Sequence, residues 1–173
     1  FPNMQDELRY CLITNLPENK DSDFSWKDFQ QKNNNELVAI LGNYINRVFV
    51  LCDKFFDKKV PKRLDDNLDN EIFSELDDLK GKVELSIQNF KFREAMSYVI
   101  DVARLGNKYL TDTEPWKIFK ENPERVKDII HNSVQIVANI SILCEPFIPF
   151  TSKKIKELLN ISDINWSNAS SSI

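Results

Sequence analysis

The stretch WKDFQQKNNNELVAILGNYINRVFVLCDKFFD, residues 26–57, decides the fold of this chain. Its apolar positions recur at intervals of three, four or eight, and they are Phe29, Leu37, Leu41, Tyr44, Val48, Leu51 and Phe55. A helix with 3.6 residues per turn carries positions at these intervals on one face. Residues 26–57 therefore form a predicted long amphipathic helix, and Pro61 closes the segment that follows it.

The rest of the chain repeats the same helical period on both sides of this stretch. The further candidate helices are residues 7–16, 64–80, 92–110, a short piece after the turn at 111–116, a helix from the cap Asn122-Pro123-Glu124 to Pro146, and 151–159. The pattern leaves open whether the helix over residues 64–80 breaks at Gly81, because apolar residues continue beyond that glycine. No alternating β-branched run competes with these helices. The predicted fold class is therefore all-α, a helical bundle.

The composition excludes several classes of function. The chain has 173 residues, a net charge of −4, three Gly and one His. So few glycines exclude glycine-rich phosphate loops and dinucleotide-binding fingerprints, and no apolar run reaches the ~20 residues that a membrane helix needs. The odd set Cys11, Cys52 and Cys144 lies among apolar neighbours, which predicts buried free thiols in a reducing cytoplasm.

The titratable residues form no recognisable catalytic or metal site. Asp128 and His131 have the i, i+3 spacing of a carboxylate-bridged di-iron bundle, but such a site needs two pairs and the chain has one His. Cys144 and His131 lack a third, orienting group. The seven acids between residues 65 and 78 lack the glycine and spacing of a calcium loop, so we predict a solvated helix face there.

The net charge conceals a local excess of positive charge. Residues 32–63 hold seven basic and three acidic residues, a net of +4, whereas residues 64–80 have a net of −6. On the long helix predicted above, Asn43 and Arg47 lie one turn apart and away from the apolar face. An amide followed by a guanidinium suits base edges and phosphates, although the two residues considered by themselves favour plain solvation on a helix exterior.

Trp116 follows Pro115 at the turn before a short helix. A Trp at such a turn is either an anchor of the core or a stacking platform for an unpaired base. Considered by itself, the residue favours the core interpretation. In either case Pro115 fixes the backbone from which the ring projects.

Several motifs, taken together and in this order, resemble methionyl-tRNA synthetase. They are Asp6-Glu7-Leu8-Arg9-Tyr10-Cys11-Leu12, Asp21-Ser22-Asp23-Phe24-Ser25-Trp26-Lys27-Asp28-Phe29, Asn34-Asn35-Glu36-Leu37, Gly42-Asn43-Tyr44-Ile45-Asn46-Arg47, Asn107-Lys108-Tyr109, Glu114-Pro115-Trp116 and Glu145-Pro146-Phe147-Ile148-Pro149. The resemblance covers most of the chain and matches only the C-terminal part of the synthetase. It implies a bundle of the class I aminoacyl-tRNA synthetase anticodon-binding type over residues 26–173, joined through a connector over residues 1–25 to the catalytic domain.

The resemblance also implies the chemistry of a longer parent, a methionine–tRNA ligase. Its ATP-handling signatures and Cys-rich zinc insert have no counterpart here, so we expect ATP, Mg²⁺ and structural zinc upstream of Phe1 and no cofactor in this fragment. A start without Met fits such a fragment. The expected partners are methionine tRNA, through its anticodon loop, and the catalytic domain of the same chain, in the cytoplasm and without a membrane. The oligomeric state stays open.

The anticodon-binding residues that the resemblance implies are Asn43, Asn46, Arg47, Pro115 and Trp116. The Trp is expected to stack on cytosine, the first base of the CAU anticodon. The Asn43–Arg47 pair is expected to hydrogen-bond base edges and the nearby backbone. Some members carry another Asn where this sequence has Ala39, so the contact of that Asn is either missing here or replaced by Glu36 or Asn46.

Two alternatives remain at the level of the sequence. One is the anticodon domain of a related class I synthetase, for cysteine, leucine, isoleucine or valine, since all of these use helical bundles. The other is a helical protein-interaction module that binds no RNA, which the net charge of −4 favours.

Overall fold

The computed structural model describes residues 4–18, 21–64, 69–161 and 164–169, which form a helical bundle without any β-strand. The elements are α1 (Gln5–Thr14), α2 (Trp26–Lys32), a π-helical segment (Asn33–Gly42), α3 (Asn43–Phe56), α4 (Asn70–Gln88), α5 (Phe92–Thr113), α6 (Pro115–Ile118), α7 (Pro123–Leu143), α8 (Pro149–Leu159) and a 3₁₀ turn (Trp166–Asn168). The predicted all-α fold class is confirmed.

The most deeply buried helix is α7. Almost every residue from Ile129 to Cys144 is buried, and α7 packs against α3, α4, α5, α6 and α8. Helix α5 packs against α7 and also against α4. Cys11, Cys52 and Cys144 are free and buried, as predicted. In the described part of the chain, no helix is long and apolar enough to cross a membrane.

The long helix predicted for residues 26–57 is present, with one feature that its sequence does not indicate. The backbone is helical from Trp26 to Phe56, but the ten residues Asn33–Gly42 are π-helical. The backbone N–H of Asn43 donates to the carbonyl of Val38, five positions earlier, as a π-helix requires. The helix ends at Asp57, which adopts the left-handed conformation with φ of 50°.

The prediction for the second long helix was wrong at its start, and the structure decides the end that the sequence left open. Residues 64–80 were expected to be helical, whereas α4 begins at Asn70 and continues through Gly81 to Gln88. A break at Gly81 does not occur, because Leu79 and Val83 on either side of it are buried and hold the backbone in register. Residues 65–68 lie outside the described residues.

Among the remaining helices, α7 begins at its predicted cap, whereas several other ends are shifted by two or three residues, including those of α1, which runs from Gln5 to Thr14 rather than over residues 7–16. Asn122 caps α7, since its side chain accepts a hydrogen bond from the backbone N–H of Arg125 at 3.0 Å, and Pro123 occupies the first turn. Helix α5 runs three residues beyond the predicted end at Leu110, and the chain turns only at Glu114, whose φ is 42°. Helix α8 begins at Pro149 rather than Thr151.

Asp69, one member of the acidic cluster, is not solvated, contrary to the prediction. Asp69 accepts two hydrogen bonds from the guanidinium of Arg125, at 2.6 and 2.7 Å, and others from Tyr109 Oη at 2.8 Å and Asn132 Nδ2 at 3.1 Å. Burial by itself would raise the pKa of Asp69, but the hydrogen bonds from Arg125 and Tyr109 and the charge of Arg125 outweigh it and lower that pKa. The described acids Glu71, Glu75, Asp77 and Asp78 are exposed, whereas Asp65 and Asp66 fall outside the described residues.

Asp128 and His131 have structural contacts to the segment that follows α3. Oδ1 of Asp128 accepts the backbone N–H of Leu64 at 2.6 Å, and Nδ1 of His131 lies 3.0 Å from the carbonyl oxygen of Pro61. In the residues that the structure describes, no three His, Cys, Asp or Glu side chains cluster as a metal site would require.

Helix α1 is held against both the long helix and the C-terminal part of the bundle. Arg9 Nε donates to the carbonyl of Phe147 at 2.7 Å, and the carboxylate of Asp6 accepts the backbone N–H of Thr151. Tyr10 Oη donates to the carboxylate of Glu36 in the π-helical segment. The N-terminal helix is therefore part of the packed bundle.

Candidate nucleic-acid interface

The crossing of α3 and α5 is set by one glycine. The ring of Tyr44 on α3 lies directly over Gly106 on α5, and a Cβ at that position would lie 2.5 and 2.6 Å from two ring carbons of Tyr44. Tyr44 is fully buried, and its hydroxyl donates to the carbonyl of Ser133 on α7 at 3.0 Å. Burial raises the pKa of Tyr44. Because Gly106 has no side chain, the backbones of α3 and α5 can approach closely at this point.

The next residue on α5, Asn107, joins the two predicted residues of α3. Its Oδ1 accepts hydrogen bonds from Nδ2 of Asn43 at 3.2 Å and from Nη1 of Arg47 at 3.0 Å. Its Nδ2 donates to the carbonyls of Ile40 at 3.0 Å and Ala103 at 3.1 Å. Asn43 is exposed and Arg47 half-buried, so the amide and the guanidinium are presented together at the surface.

Trp116 lies beside this pair and is not in the core. Its side chain is 39% exposed, and the guanidinium carbon of Arg47 lies 5.6 Å from the centroid of its ring, within the range of a cation–π contact. Pro115 is buried and occupies the first position of α6, as expected for a proline that fixes a helix start. Its position in the sequence, considered by itself, favoured Trp116 as an anchor of the core, and that interpretation was wrong.

An aromatic contact holds α6 close to α3. The ring of Phe119, directly after α6, stacks on Phe55 of α3 with centroids 4.2 Å apart, and it meets Phe56 edge-on at 6.1 Å. Such ring pairs add stabilisation beyond the area they bury. Trp116 therefore stays within reach of Arg47 although 69 sequence positions separate the two residues.

The structure places Asn46 on the neighbouring side of α3. It is exposed, has no hydrogen-bond partner among the described residues, and lines an open groove together with Asn43 and Ala39. Glu36 is engaged elsewhere through its bond to Tyr10. Of the two residues expected to replace an Asn at Ala39, Asn46 is the one whose side chain is not committed to another group.

The charge of Arg47 is not neutralised by a neighbour. Within the described residues, Arg47 forms no ion pair with a carboxylate, and its contacts are the neutral amide of Asn107 and the ring of Trp116. Lys117 on α6, in contrast, pairs with Glu114 at 2.8 Å. An exposed amide, a guanidinium without a carboxylate partner and a partly exposed indole ring form one surface, which suits an anionic ligand with planar rings.

Sequence reasoning missed Asn107 and Gly106 as parts of this surface. Asn107 belongs to one of the motifs quoted above, but nothing local marks its side chain as a link between two other residues. The available signal was Gly106 in the interior of a predicted helix, where a glycine indicates a packing reason.

Comparison with known families matches almost the whole chain in two parts. A family described as the anticodon binding domain of methionyl tRNA ligase matches residues 61–173. A second family, the methionine type of class I tRNA synthetases, matches residues 3–49. A methionine–tRNA ligase of Cytophaga hutchinsonii is 53% identical over 171 residues, which cover 98% of this chain and 25% of that protein. One from Bacteroides fragilis is 50% identical over 167 residues, covering 96% and 25%.

Solved structures show the same fold. The ligand-free methionyl-tRNA synthetase of Mycobacterium tuberculosis superposes with a TM-score of 0.84 at 23% identity, covering 91% of this chain and 33% of that one. The methionyl-adenylate complex of the same enzyme gives a TM-score of 0.85. The chain spans about a quarter of the length of the curated relatives it matches. Since the anticodon-domain family matches more than half of its residues, the chain belongs to the family of methionyl-tRNA ligase anticodon-binding domains.

Proposed function

We propose that this chain reads the CAU anticodon of methionine tRNA for a methionine–tRNA ligase of which it is one part. The observation that carries the proposal is the meeting of Asn43, Arg47 and Trp116 at one exposed surface, although they come from two separate helices. The family of the chain supports the same function. Its relatives named above are methionine–tRNA ligases, so neither another class I synthetase nor a module without RNA gains support.

Each residue has a distinct task in this proposal. Trp116 stacks on the first anticodon base, cytosine, and the cation–π contact with Arg47 keeps the ring oriented. Asn43 and Arg47 hydrogen-bond base edges and the adjoining backbone, as single-stranded RNA loops are commonly read. Pro115 fixes the backbone ahead of the ring, and Asn46 is available to the loop from the adjacent groove.

The energies involved are sufficient for discrimination between anticodons. A base stacked on an aromatic ring contributes about 1–3 kcal/mol, and a good bidentate contact to a base edge contributes about the same. Two or three such contacts would separate CAU from a near-cognate anticodon by a few powers of ten, because each 1.4 kcal/mol is about a factor of ten.

The rest of the ligase supplies the reaction. In our proposal the longer protein uses ATP and Mg²⁺ to activate methionine, carries any structural zinc, and acts in the cytoplasm. The described residues do not suit these groups, since they hold neither a cluster of three metal-ligating side chains nor a glycine-rich loop. Residues 1–25 form the connector to the catalytic domain, and residues 26–173 form the reading domain.

Titration of an anticodon stem-loop tests the proposal directly. We expect the chain to bind a stem-loop carrying CAU and to bind more weakly when only the cytosine is changed. Measurement at two salt concentrations separates phosphate contacts, which weaken with salt, from base contacts. Absence of binding, or equal affinity for both loops, would refute the reading of CAU.

A further inference from the structure

Asn107 is the hydrogen-bonding centre of the candidate interface. In the described part of the chain, it is the only hydrogen-bond partner of the side chains of Asn43 and Arg47, at 3.2 and 3.0 Å. It lies on α5, whereas the two residues that it contacts lie on α3, 64 and 60 sequence positions away. The orientation of both predicted reading residues therefore depends on a third residue from another helix.

The orientation of the Asn107 amide is itself fixed. Its nitrogen donates to two backbone carbonyls, that of Ile40 in the π-helical segment and that of Ala103 one turn earlier on α5. A flip of the amide would point its oxygen at these two carbonyl oxygens and its nitrogen at the Nη1 donor of Arg47, so all of these hydrogen bonds would be lost, which is costly for partly buried groups. The oxygen of Asn107 must therefore face α3.

We propose that Asn107 is a positioning residue for anticodon recognition, which aligns Asn43 and Arg47 before RNA arrives. This inference rests on the proposed function. Arg47 has a long side chain that would otherwise sample many rotamers, and ordering such a side chain only on binding weakens affinity. Asn107 is neutral, so it sets the direction of the guanidinium while leaving its charge for the RNA.

The inference separates affinity for RNA in general from discrimination between bases. Without Asn107 the charge of Arg47 remains, so contacts to phosphate persist and the dependence on salt is unchanged. Hydrogen bonds to a base edge require a defined geometry and are lost when the donor groups are free to move. Removal of Asn107 should therefore weaken the preference for CAU more than it weakens binding to an unrelated loop.

The test compares Asn107→Ala with a matched control, Asn89→Ala. Asn89 also donates to a carbonyl four residues earlier, that of Leu85 at 2.7 Å, but it lies at the end of α4 and contacts neither reading residue. The ratio of Kd values for a cytosine-changed loop and the CAU loop is measured for each protein. We expect this ratio to fall about tenfold for Asn107→Ala and to stay at the wild-type value for Asn89→Ala.

A mutant cycle distinguishes positioning from a general loss of structure. In a background that carries both Asn43→Ala and Arg47→Ala, Asn107→Ala should change the ratio by no more than about twofold, since both groups that it orients are already absent. If Asn107→Ala does not fold, Asn107→Ser replaces it. A serine hydroxyl can donate to the carbonyl of Ala103 but is too short to reach α3.

The outcomes separate this inference from the function on which it rests. If the wild-type chain shows no preference for CAU, the proposed function fails. If the wild-type chain prefers CAU and the folded Asn107 variants keep that preference, the proposed function stands and the positioning role is refuted. Equal effects of Asn107→Ala in the presence and in the joint absence of the Asn43 and Arg47 side chains would refute it as well.

Discussion

Replacement of Gly106 by alanine is the sharpest test of how the interface is built. A Cβ at this position would lie 2.5 and 2.6 Å from Cε2 and Cε1 of Tyr44 and closer still to Cζ. Carbon atoms pack favourably at about 3.5–4.0 Å, so the ring must move by roughly an ångström or α5 must withdraw. Tyr44 cannot rotate into open space, because it is fully buried and its hydroxyl is bonded to α7.

The two opposing contributions to stability can be compared. Overpacking of a core costs about 1–3 kcal/mol, and a rigid ring in contact with three of its atoms belongs at the upper end of that range. Alanine in a helix interior gains about 1 kcal/mol over glycine. The net expectation is a loss of roughly 2 kcal/mol, which corresponds to a fall in Tm of about 4–8 °C for a chain of this size.

Gly81→Ala provides the matched control, assayed beside Gly106→Ala by urea and thermal unfolding followed by circular dichroism. Gly81 is also in a helix interior, but a Cβ there meets nothing within 4 Å. It should raise stability by about 0.8–1 kcal/mol. Gly106→Ala should also weaken binding of the CAU stem-loop, since Asn107 moves with α5.

Equal stabilisation by both alanines would refute this reasoning. It would mean that α3 and α5 adjust to a methyl group at their crossing without cost, and that Gly106 has no role in bringing Asn107 to Arg47. A destabilised Gly106→Ala protein with unchanged preference for CAU would contradict only the second of these statements.

Three further predictions concern single side chains. Trp116→Ala should weaken binding of the CAU stem-loop about 5- to 150-fold with unchanged helix content by circular dichroism, whereas Trp26→Ala, which removes another exposed Trp, should leave affinity intact. Arg47→Ala should relax the preference for the first anticodon base if the guanidinium reads a base edge, and reduce the salt slope of log K by about one if it contacts phosphate; a titration showing neither would exclude both roles. Since the pKa of Asp69 is lowered in the folded chain, its carboxylate stabilises the fold above the unfolded pKa of about 3.9, and this contribution is lost as pH falls through the folded value. Wild type and Asp69→Asn should therefore differ most in unfolding free energy above about pH 5, and a difference that is constant down to pH 2 would argue against the ion pair with Arg125.

Most of the helices were predictable because apolar residues recur along them with the helical period, and the start of α4 shows where that approach stops. The apolar spacing in residues 64–80 continues smoothly, so the period cannot reveal a boundary there. The helix begins only at Asn70, and Asp69 before it has a φ of 63° and is bonded to Arg125, 56 positions later. A boundary fixed by such a distant partner leaves no local pattern.

The spacing of apolar residues did not predict the π-helical segment either. Ten residues with shifted hydrogen bonds still present Leu37 and Leu41 toward the bundle, so the stripe survives the change in backbone. The segment is accompanied by a tertiary contact, the hydrogen bond from Nδ2 of Asn107 to the carbonyl of Ile40. A local reading of residues 33–42 contains nothing about residue 107.

The candidate site was also predictable only in part. That Asn43 and Arg47 share a helix side follows from helical geometry alone, and the resemblance added Trp116. Their meeting with Trp116 depends on the packing of α6 against α3 through Phe55 and Phe119, which no spacing rule predicts. The polar link through Asn107 is likewise visible only in the folded chain.

The long separation in sequence between Asn107 and its partners on α3 makes ligand binding a measure of global folding. Contacts spanning 64 and 60 positions are lost in any state in which α3 opens from α5, so such a state presents no interface to a ligand. A ligand at this surface then stabilises the closed state by RT ln(1 + [L]/Kd). Slower amide hydrogen exchange in both helices, growing with ligand concentration, would be the signature of this linkage.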